Sequence, residues 1–130
     1  MAGRKVTETI SVSPQITAAD VEAIKAAGFR SIICNRPDGE EAGQPDFAAI
    51  EKAAGASGLD IRYQPVNAGG LRQEDVDAFA ALADELPAPI FAYCRSGTRC
   101  IMLWALAESA RRPLPDVLEM ARAAGYDLGG

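Results

Sequence analysis

Residues 90–99 read Ile-Phe-Ala-Tyr-Cys-Arg-Ser-Gly-Thr-Arg, a strand followed by a loop. The first four residues are all apolar, which is typical of a strand buried on both faces of a parallel sheet. The last six are small, flexible or cationic, and a helical pattern begins at about Thr98. The segment therefore predicts an α/β protein in which a buried central strand delivers Cys94 to a loop at the start of a helix.

Apolar patterns on both sides of this segment predict strands and helices in alternation. We expect further strands at 6–12, 31–34 and 60–66, the first of them partly exposed. We expect helices that begin at Thr17, at Asp46 and near Val76, and two more that span 98–111 and 115–124. The helix at 98–111 is apolar on every side from 101 to 107, which predicts deep burial. The whole pattern predicts one domain over residues 1–130, with a mainly parallel sheet of four to five strands and helices on both faces.

Composition excludes several classes of function. The 130 residues include 13 Lys and Arg against 18 Asp and Glu, a net charge of −5 that argues against binding to nucleic acid. No apolar run approaches the ~20 residues of a membrane span, and no apolar stretch follows the first five residues as in a secretory signal. The three cysteines are then expected to be reduced thiols, and the protein to be cytoplasmic.

The chain contains no histidine. Its absence removes Ser-His-Asp and Cys-His catalysis and every histidine metal site. Zinc would need all three cysteines and a carboxylate at spacings that match no familiar finger, so we expect neither a metal nor a cofactor. A cysteine nucleophile in this chain must be activated without an imidazole.

The loop 94–99 has the properties of an anion-binding site that also activates a thiol. Gly97 can adopt a positive φ, so that backbone N–H groups of Arg95, Ser96, Gly97 and Thr98 line an anion cradle at a helix N-terminus. Arg99 adds a planar fork that grips two oxygens of a tetrahedral anion. The same positive field lowers the pKa of a thiol, which predicts Cys94 as the nucleophile. A structural cysteine is the simpler alternative, but two arginines beside a helix start oppose the helix dipole and do not favour stability.

Two stretches resemble a known family. Residues 33–40 (Ile-Cys-Asn-Arg-Pro-Asp-Gly-Glu) and 93–99 (Tyr-Cys-Arg-Ser-Gly-Thr-Arg) are similar to the phosphatase-like domain of the beta-lactamase-hydrolase-like family, also described as putative sulfur transferases. The resemblance implies a cysteine-phosphatase-like fold with Cys94 as nucleophile and Arg99 as anion clamp. In some relatives the domain is joined to a metallo-beta-lactamase-like hydrolase that oxidises persulfides, which makes such an enzyme an expected partner.

The resemblance leaves two enzymatic activities open. Cysteine phosphatases have five residues between nucleophile and arginine, whereas this chain has four, as single-domain rhodaneses do. Phosphatases also use an acid on the loop that corresponds to 66–70, where this chain has no carboxylate. These departures favour a sulfurtransferase that carries sulfur as a Cys94 persulfide from thiosulfate or a persulfide to a thiol. A phosphatase working through phosphocysteine is the alternative, and a non-catalytic module that binds an anion or a persulfide is the third.

A second group of residues is expected around the same pocket. Arg36 and Asp38 follow another strand and are expected to shape it, and Tyr93 takes the place of the usual histidine before the nucleophile. Cys100 is either a buried packing residue or a thiol that resolves an oxidised Cys94. Asp38, Glu40 or Glu41 could substitute for the missing acid, although Glu40 and Glu41 are also consistent with a solvated acidic turn. The role of Cys34 stays undecided from sequence.

Overall fold

Five strands form one sheet in the computed structural model, which describes residues 3–128. The strands are β1 (Arg4–Lys5), β2 (Ile10–Ser13), β3 (Ser31–Cys34), β4 (Asp60–Tyr63) and β5 (Ile90–Tyr93). Their spatial order is β1-β2-β5-β3-β4; β1 is antiparallel to β2, and the other neighbours are parallel. The strand that leads to Cys94 is therefore the central one.

Helices cover both faces of this sheet. They are α1 (Asp20–Ala26), α2 (Phe47–Ala56), α3 (Gln73–Glu85), α4 (Thr98–Glu108) and α5 (Leu114–Ala123). One hydrophobic cluster packs α1 and α2 on one face, and a larger cluster packs α3, α4 and α5 on the other. The fold class expected from the sequence is confirmed: a mainly parallel α/β sheet with helices on both faces.

The alternation of side chains along β5 determines on which face of the sheet Cys94 lies. Ile90 and Ala92 face the α3–α5 cluster, whereas Phe91 and Tyr93 face the α1–α2 cluster. Cys94 continues this alternation and lies on the α3–α5 face with α4. Both faces of β5 are covered, which explains why its four residues are all apolar.

Two predicted strands have different bounds in the structure. The first was expected at 6–12, but residues 6–9 form a turn in which the N–H of Val6 donates to the carbonyl of Ile10 (3.0 Å) and the N–H of Thr9 donates to Oγ1 of Thr7 (3.0 Å). The strand after this turn is buried throughout rather than partly exposed. The strand expected at 60–66 ends at Tyr63, because the pairing with β3 changes register beyond it: the N–H of Gln64 donates to the carbonyl of Cys34 (2.8 Å), but the N–H of Val66 donates to that of Asn35 (3.0 Å).

Three predicted helices also differ. α1 begins at Asp20 because Thr17 lies in a preceding turn, where its N–H donates to the Asp20 carboxylate (2.8 Å). The helix expected at 98–111 ends at Glu108, and α5 runs one residue ahead of the expected 115–124. Deep burial was wrong for part of α4, since Met102 and Leu106 are 38% and 49% exposed. No helix among residues 3–128 is long and apolar enough to cross a membrane.

Candidate active site

The loop after β5 is held by backbone hydrogen bonds at the carboxyl edge of the sheet. The N–H of Cys94 donates to the carbonyl of Ser13 (3.2 Å), and the N–H of Gln15 donates to the carbonyl of Arg95 (3.2 Å). These bonds join the start of the loop to the segment that leaves β2. The loop thus lies where open α/β sheets place ligands.

A glycine turns the loop around the sulfur of Cys94. Gly97 has φ +92° and directly precedes α4, in a conformation that residues with a Cβ rarely adopt. Its N–H donates to the Sγ of Cys94 (3.1 Å). Ser96 and Thr98 hold each other through their hydroxyls (2.9 Å), and the N–H of Thr98 donates to the Ser96 hydroxyl (3.3 Å). The loop is therefore a closed turn around the thiol, while its role as an anion cradle stays a prediction.

The surroundings of Cys94 stabilise its thiolate. Its pKa falls from the ordinary value of 9.0 to about 5. The largest cause is a hydrogen bond from the Cys100 thiol, and backbone N–H groups of Cys100, Gly97 and Arg99 add to it, against the opposing effect of burial. The cysteine predicted as nucleophile is thus an anion at neutral pH without any histidine.

Arg99 is oriented by a carboxylate from another strand's loop. Its two terminal amino groups donate to the two oxygens of Glu40 (2.7 and 2.9 Å), and one of them also donates to the carbonyl of Val66 (2.9 Å). The ion pair raises the pKa of Arg99 and lowers that of Glu40. Among the hydrogen bonds of residues 3–128, those of Arg99 use its two terminal amino groups and not its Nε–H.

The buried side chain of Arg36 also binds the Glu40 carboxylate. Its side chain is only 3% exposed, and its three nitrogens donate to Glu40 (2.9 Å), Glu41 (2.9 Å) and Gln15 (3.1 Å). A buried guanidinium with every edge paired is a rigid anchor. Glu41 in turn lies 3.6 Å from the exposed Arg95. The turn 38–43 is exposed, as expected for a solvated turn, but its two glutamates are ion-paired with arginines rather than free acids.

These charged side chains line an open cleft of about 410 Å³ above the loop. It is lined by Arg36, Glu40, Glu41, Ala68, Arg95 and Arg99. Three cations against two anions leave the cleft positive, which suits an anionic ligand. Sequence reasoning placed Arg36, Arg95 and Arg99 here but missed the orienting role of Glu40, for which the only signal was an acid four residues after Arg36.

The other residues expected near the pocket lie elsewhere. Asp38 accepts a hydrogen bond from the N–H of Phe47 (2.8 Å), so its carboxylate caps α2 rather than lining the cleft. Tyr93 is buried on the opposite face of β5 with Cys34, and burial raises the pKa of both. Cys34 donates to the carbonyl of Arg36 (3.3 Å).

Cys100 lies in the first turn of α4, fully buried, beside Cys94. Burial raises its pKa well above the ordinary value of 9.0, so it remains a neutral thiol and a donor. It is therefore a neighbour of the nucleophile rather than a wall of the cleft. Among residues 3–128, no group of three or more His, Cys, Asp or Glu side chains is placed to hold a metal ion.

A central-strand cysteine, a glycine turn at a helix start and an arginine closing the loop define a cysteine-phosphatase-like protein. The chain belongs to the beta-lactamase hydrolase-like family, since residues 3–111 match the family's phosphatase-like domain. It is 36% identical to a beta-lactamase hydrolase-like protein of Agrobacterium fabrum over 98% of this chain, and 34% identical to one of Xylella fastidiosa over 95%. The chain spans only 30% and 29% of the length of these two relatives.

Solved structures agree with this assignment. A candidate phosphatase from Neisseria meningitidis has a TM-score of 0.89 and 42% identity, covering 98% of this chain and 92% of its own. Tk-PTP in its active form has a TM-score of 0.71 at 14% identity, covering 96% and 85%, and supports the fold alone. The cysteine-phosphatase-like fold expected from the resemblance is thereby confirmed.

Proposed function

We propose that this domain is a cysteine-dependent phosphatase that cleaves phosphate monoesters through a phosphocysteine on Cys94. The observation that carries the proposal is the thiolate of Cys94 inside a loop of backbone N–H groups, with Arg99 held beside it. The family match and the Neisseria structure favour this function, which was the alternative at the sequence level, over the sulfurtransferase.

The chemistry follows from the groups in the loop. The Cys94 thiolate attacks phosphorus, a sulfur–phosphorus bond forms, and the ester oxygen leaves with the electron pair of the broken bond. The loop N–H groups and the Nε–H of Arg99 stabilise the charge that develops on the phosphoryl oxygens. Water then attacks the phosphocysteine, phosphate is released and the thiolate is restored.

Among residues 3–128, no carboxylate is placed to protonate the leaving group. Glu40 is the nearest acid to Arg99, but its two ion pairs lower its pKa and keep it a carboxylate. The loop 66–70 contains no acid. A missing acid costs about 10²–10⁴ in rate for a poor leaving group and little for a good one. We therefore expect aryl phosphates to be cleaved far faster than alkyl phosphates.

The sulfurtransferase remains the second candidate for two reasons. No acid among residues 3–128 is placed to protonate a leaving group, and four residues separate Cys94 from Arg99. Thiosulfate needs no acid, since sulfite leaves as a stable anion. A thiol acceptor, and the metallo-beta-lactamase-like persulfide-oxidising partner implied by the resemblance, belong to this alternative.

One experiment separates the candidates. The wild type and Cys94→Ser are incubated with p-nitrophenyl phosphate, with an alkyl phosphate, and with thiosulfate plus cyanide. Product release and the intact mass of the protein are measured in each case. We expect phosphate release from the aryl ester by the wild type alone, with a transient phosphoryl adduct on Cys94.

Other outcomes would each contradict the proposal in a specific way. A one-sulfur adduct on Cys94 with thiocyanate formation, and no phosphate release, would establish the sulfurtransferase. Binding of phosphate or thiosulfate with neither product would establish the non-catalytic module. Equal phosphate release by Cys94→Ser would show that Cys94 is not the nucleophile.

A further inference from the structure

One peptide group of the loop contacts both the nucleophile and a side chain from the far end of the chain. The N–H of Gly97 donates to the Sγ of Cys94 (3.1 Å). The carbonyl of the same peptide, which belongs to Ser96, accepts a hydrogen bond from the hydroxyl of Tyr126 (3.0 Å). Since a peptide group is planar, the Tyr126 hydroxyl and the Cys94 sulfur fix its orientation from opposite edges.

The hydroxyl of Tyr126 also packs directly on the glycine. A Cβ added at Gly97 would overlap the Tyr126 oxygen, so the space beside this glycine is already filled. The φ of Gly97 is one that glycine adopts easily, and glycine alone would leave the peptide free to rotate. The tyrosine therefore restricts the one position in the loop with the most conformational freedom.

Tyr126 is itself held firmly. It follows Gly125 at the end of α5, and its N–H donates to the carbonyl of Ala121 (2.9 Å). Its ring packs against the hydrophobic cluster that contains α4 and α5. Burial raises the pKa of its hydroxyl, which keeps it protonated and able to donate at neutral pH.

We propose that Tyr126 is a positioning residue for the Cys94 thiolate. Its hydrogen bond holds the Ser96 carbonyl away from the sulfur, so that the Gly97 N–H points at it. Donation to a carbonyl also polarises the peptide and strengthens its N–H as a donor. The inference rests on Cys94 as the reactive thiol of the proposed function, but not on which substrate that thiol attacks.

The test is the alkylation rate of Cys94 by iodoacetamide as a function of pH in the wild type and in Tyr126→Phe. Labelling is read at the Cys94 peptide by mass spectrometry. We expect the apparent pKa of Cys94 to rise by about one pH unit, as the weakening of one hydrogen bond to an anion predicts. Labelling should then slow about fivefold near pH 5 and hardly change near pH 8.

Two further variants make the result specific. Tyr63→Phe removes a tyrosine hydroxyl that accepts from the N–H of Asp38 (2.9 Å) and does not contact the loop, so its titration should match the wild type. Tyr126→Leu removes the ring as well and should give the same shift as Tyr126→Phe if the hydroxyl is responsible. An unchanged titration in Tyr126→Phe, or a shift in Tyr126→Leu alone, would overturn the proposal. Because alkylation needs no substrate, failure of the phosphatase assay would leave this test intact.

Discussion

At the scale of single residues, the site is a balance of charges rather than a row of cations. Glu40 binds Arg99 and Arg36 at once, so the arginine expected to clamp an anion is already half occupied by a carboxylate. This pairing orients the guanidinium before a ligand arrives and reduces the entropy that anion binding must overcome. It also keeps the buried charge of Arg36 compensated when the cleft is empty.

The Cys94 thiolate should make stability depend on pH. Its pKa in the folded protein is about 5, against an ordinary value of 9.0, so between these values the unfolded chain binds the extra proton. Stability from this group is therefore complete above pH 9 and is lost as the pH falls toward 5, at up to about 1.4 kcal/mol per pH unit.

Urea unfolding of the wild type and of Cys94→Ser, under reducing conditions between about pH 5.5 and 8.5, measures this contribution. The free energy of unfolding of the wild type should rise with pH relative to the variant. A constant difference across the range would show that the thiol of Cys94 is not ionised in the folded protein.

Glu40→Gln should weaken the arginine cluster. The neutral amide loses both ion pairs while Arg36 stays buried, and we expect a loss of about 1–2 kcal/mol at pH 7. The pKa of Glu40 is lowered by its partners, so this contribution is present above its ordinary value of 4.5 and is lost as the pH falls through the folded value.

The difference in unfolding free energy between wild type and Glu40→Gln should therefore shrink in acid. Glu41→Gln is the matched control, because Glu41 is 54% exposed and its loss should cost about 0.5 kcal/mol or less. Equal losses of unfolding free energy in the two variants would show that the ion pairs of Glu40 contribute no more to stability than those of the exposed Glu41.

At the scale of elements, β3 and β5 could be predicted residue for residue. Both are short apolar runs buried on two faces, and such runs leave little ambiguity once turn residues bound them. The first strand was misplaced because Val6–Val12 alternates like a strand, whereas Thr7 forms a local hydrogen bond that favours a turn. The periodicity of apolar residues does not indicate where a side chain forms a hydrogen bond to the nearby backbone.

The candidate site was predictable only where the chain is continuous. Cys94, Gly97 and Arg99 stand within one loop, and their roles follow from spacing and chemistry. Two other residues reach that loop from distant parts of the sequence. Glu40 is 59 residues from its partner Arg99, and Tyr126 is 30 residues from its partner Ser96. A single sequence carries no signal for such contacts, because they depend on how separate elements dock.

The turn before α4 gives a prediction about a single methyl group. Gly97→Ala places a Cβ at a positive φ and against the Tyr126 hydroxyl, so both backbone strain and overlap should destabilise the fold, by about 2 kcal/mol or more. Gly58→Ala is the matched control: it has φ +77° after α2, but its nearest neighbour is the flexible end of Lys25 at 3.8 Å.

Urea unfolding of the two glycine variants is compared with the wild type. The control should lose about 1 kcal/mol from strain alone. A loss at Gly97 no larger than that at Gly58 would mean that the contact with Tyr126 is easily relieved.

At the scale of the whole molecule, the chain is acidic, with a net charge of −5, while the cleft beside the loop is lined by three arginines and two glutamates. A local positive field on a negative protein favours small anions that can enter the cleft over extended polyanions, which meet the repulsive remainder of the surface. This distribution agrees with a site for a small phosphate ester.

The purified protein should contain no stoichiometric metal. The sequence has no histidine, and residues 3–128 bring together no set of carboxylates and thiols with the geometry of a metal site. Elemental analysis should find well below one zinc or iron per chain, and chelator should leave turnover unchanged. A chelator-sensitive activity restored by added metal would contradict this expectation.

Helix α5 lies outside the residues that match the family, yet it is part of the folded core. Residues 3–111 match the family, but Val117 and Ala121 of α5 are fully buried in the core, and Tyr126 follows them against the loop. A fragment cut where the family match ends would expose an apolar wall and release the Ser96–Gly97 peptide together. Inactivity of such a fragment would therefore be a fault of its boundary, and would carry no information about the chemistry of Cys94.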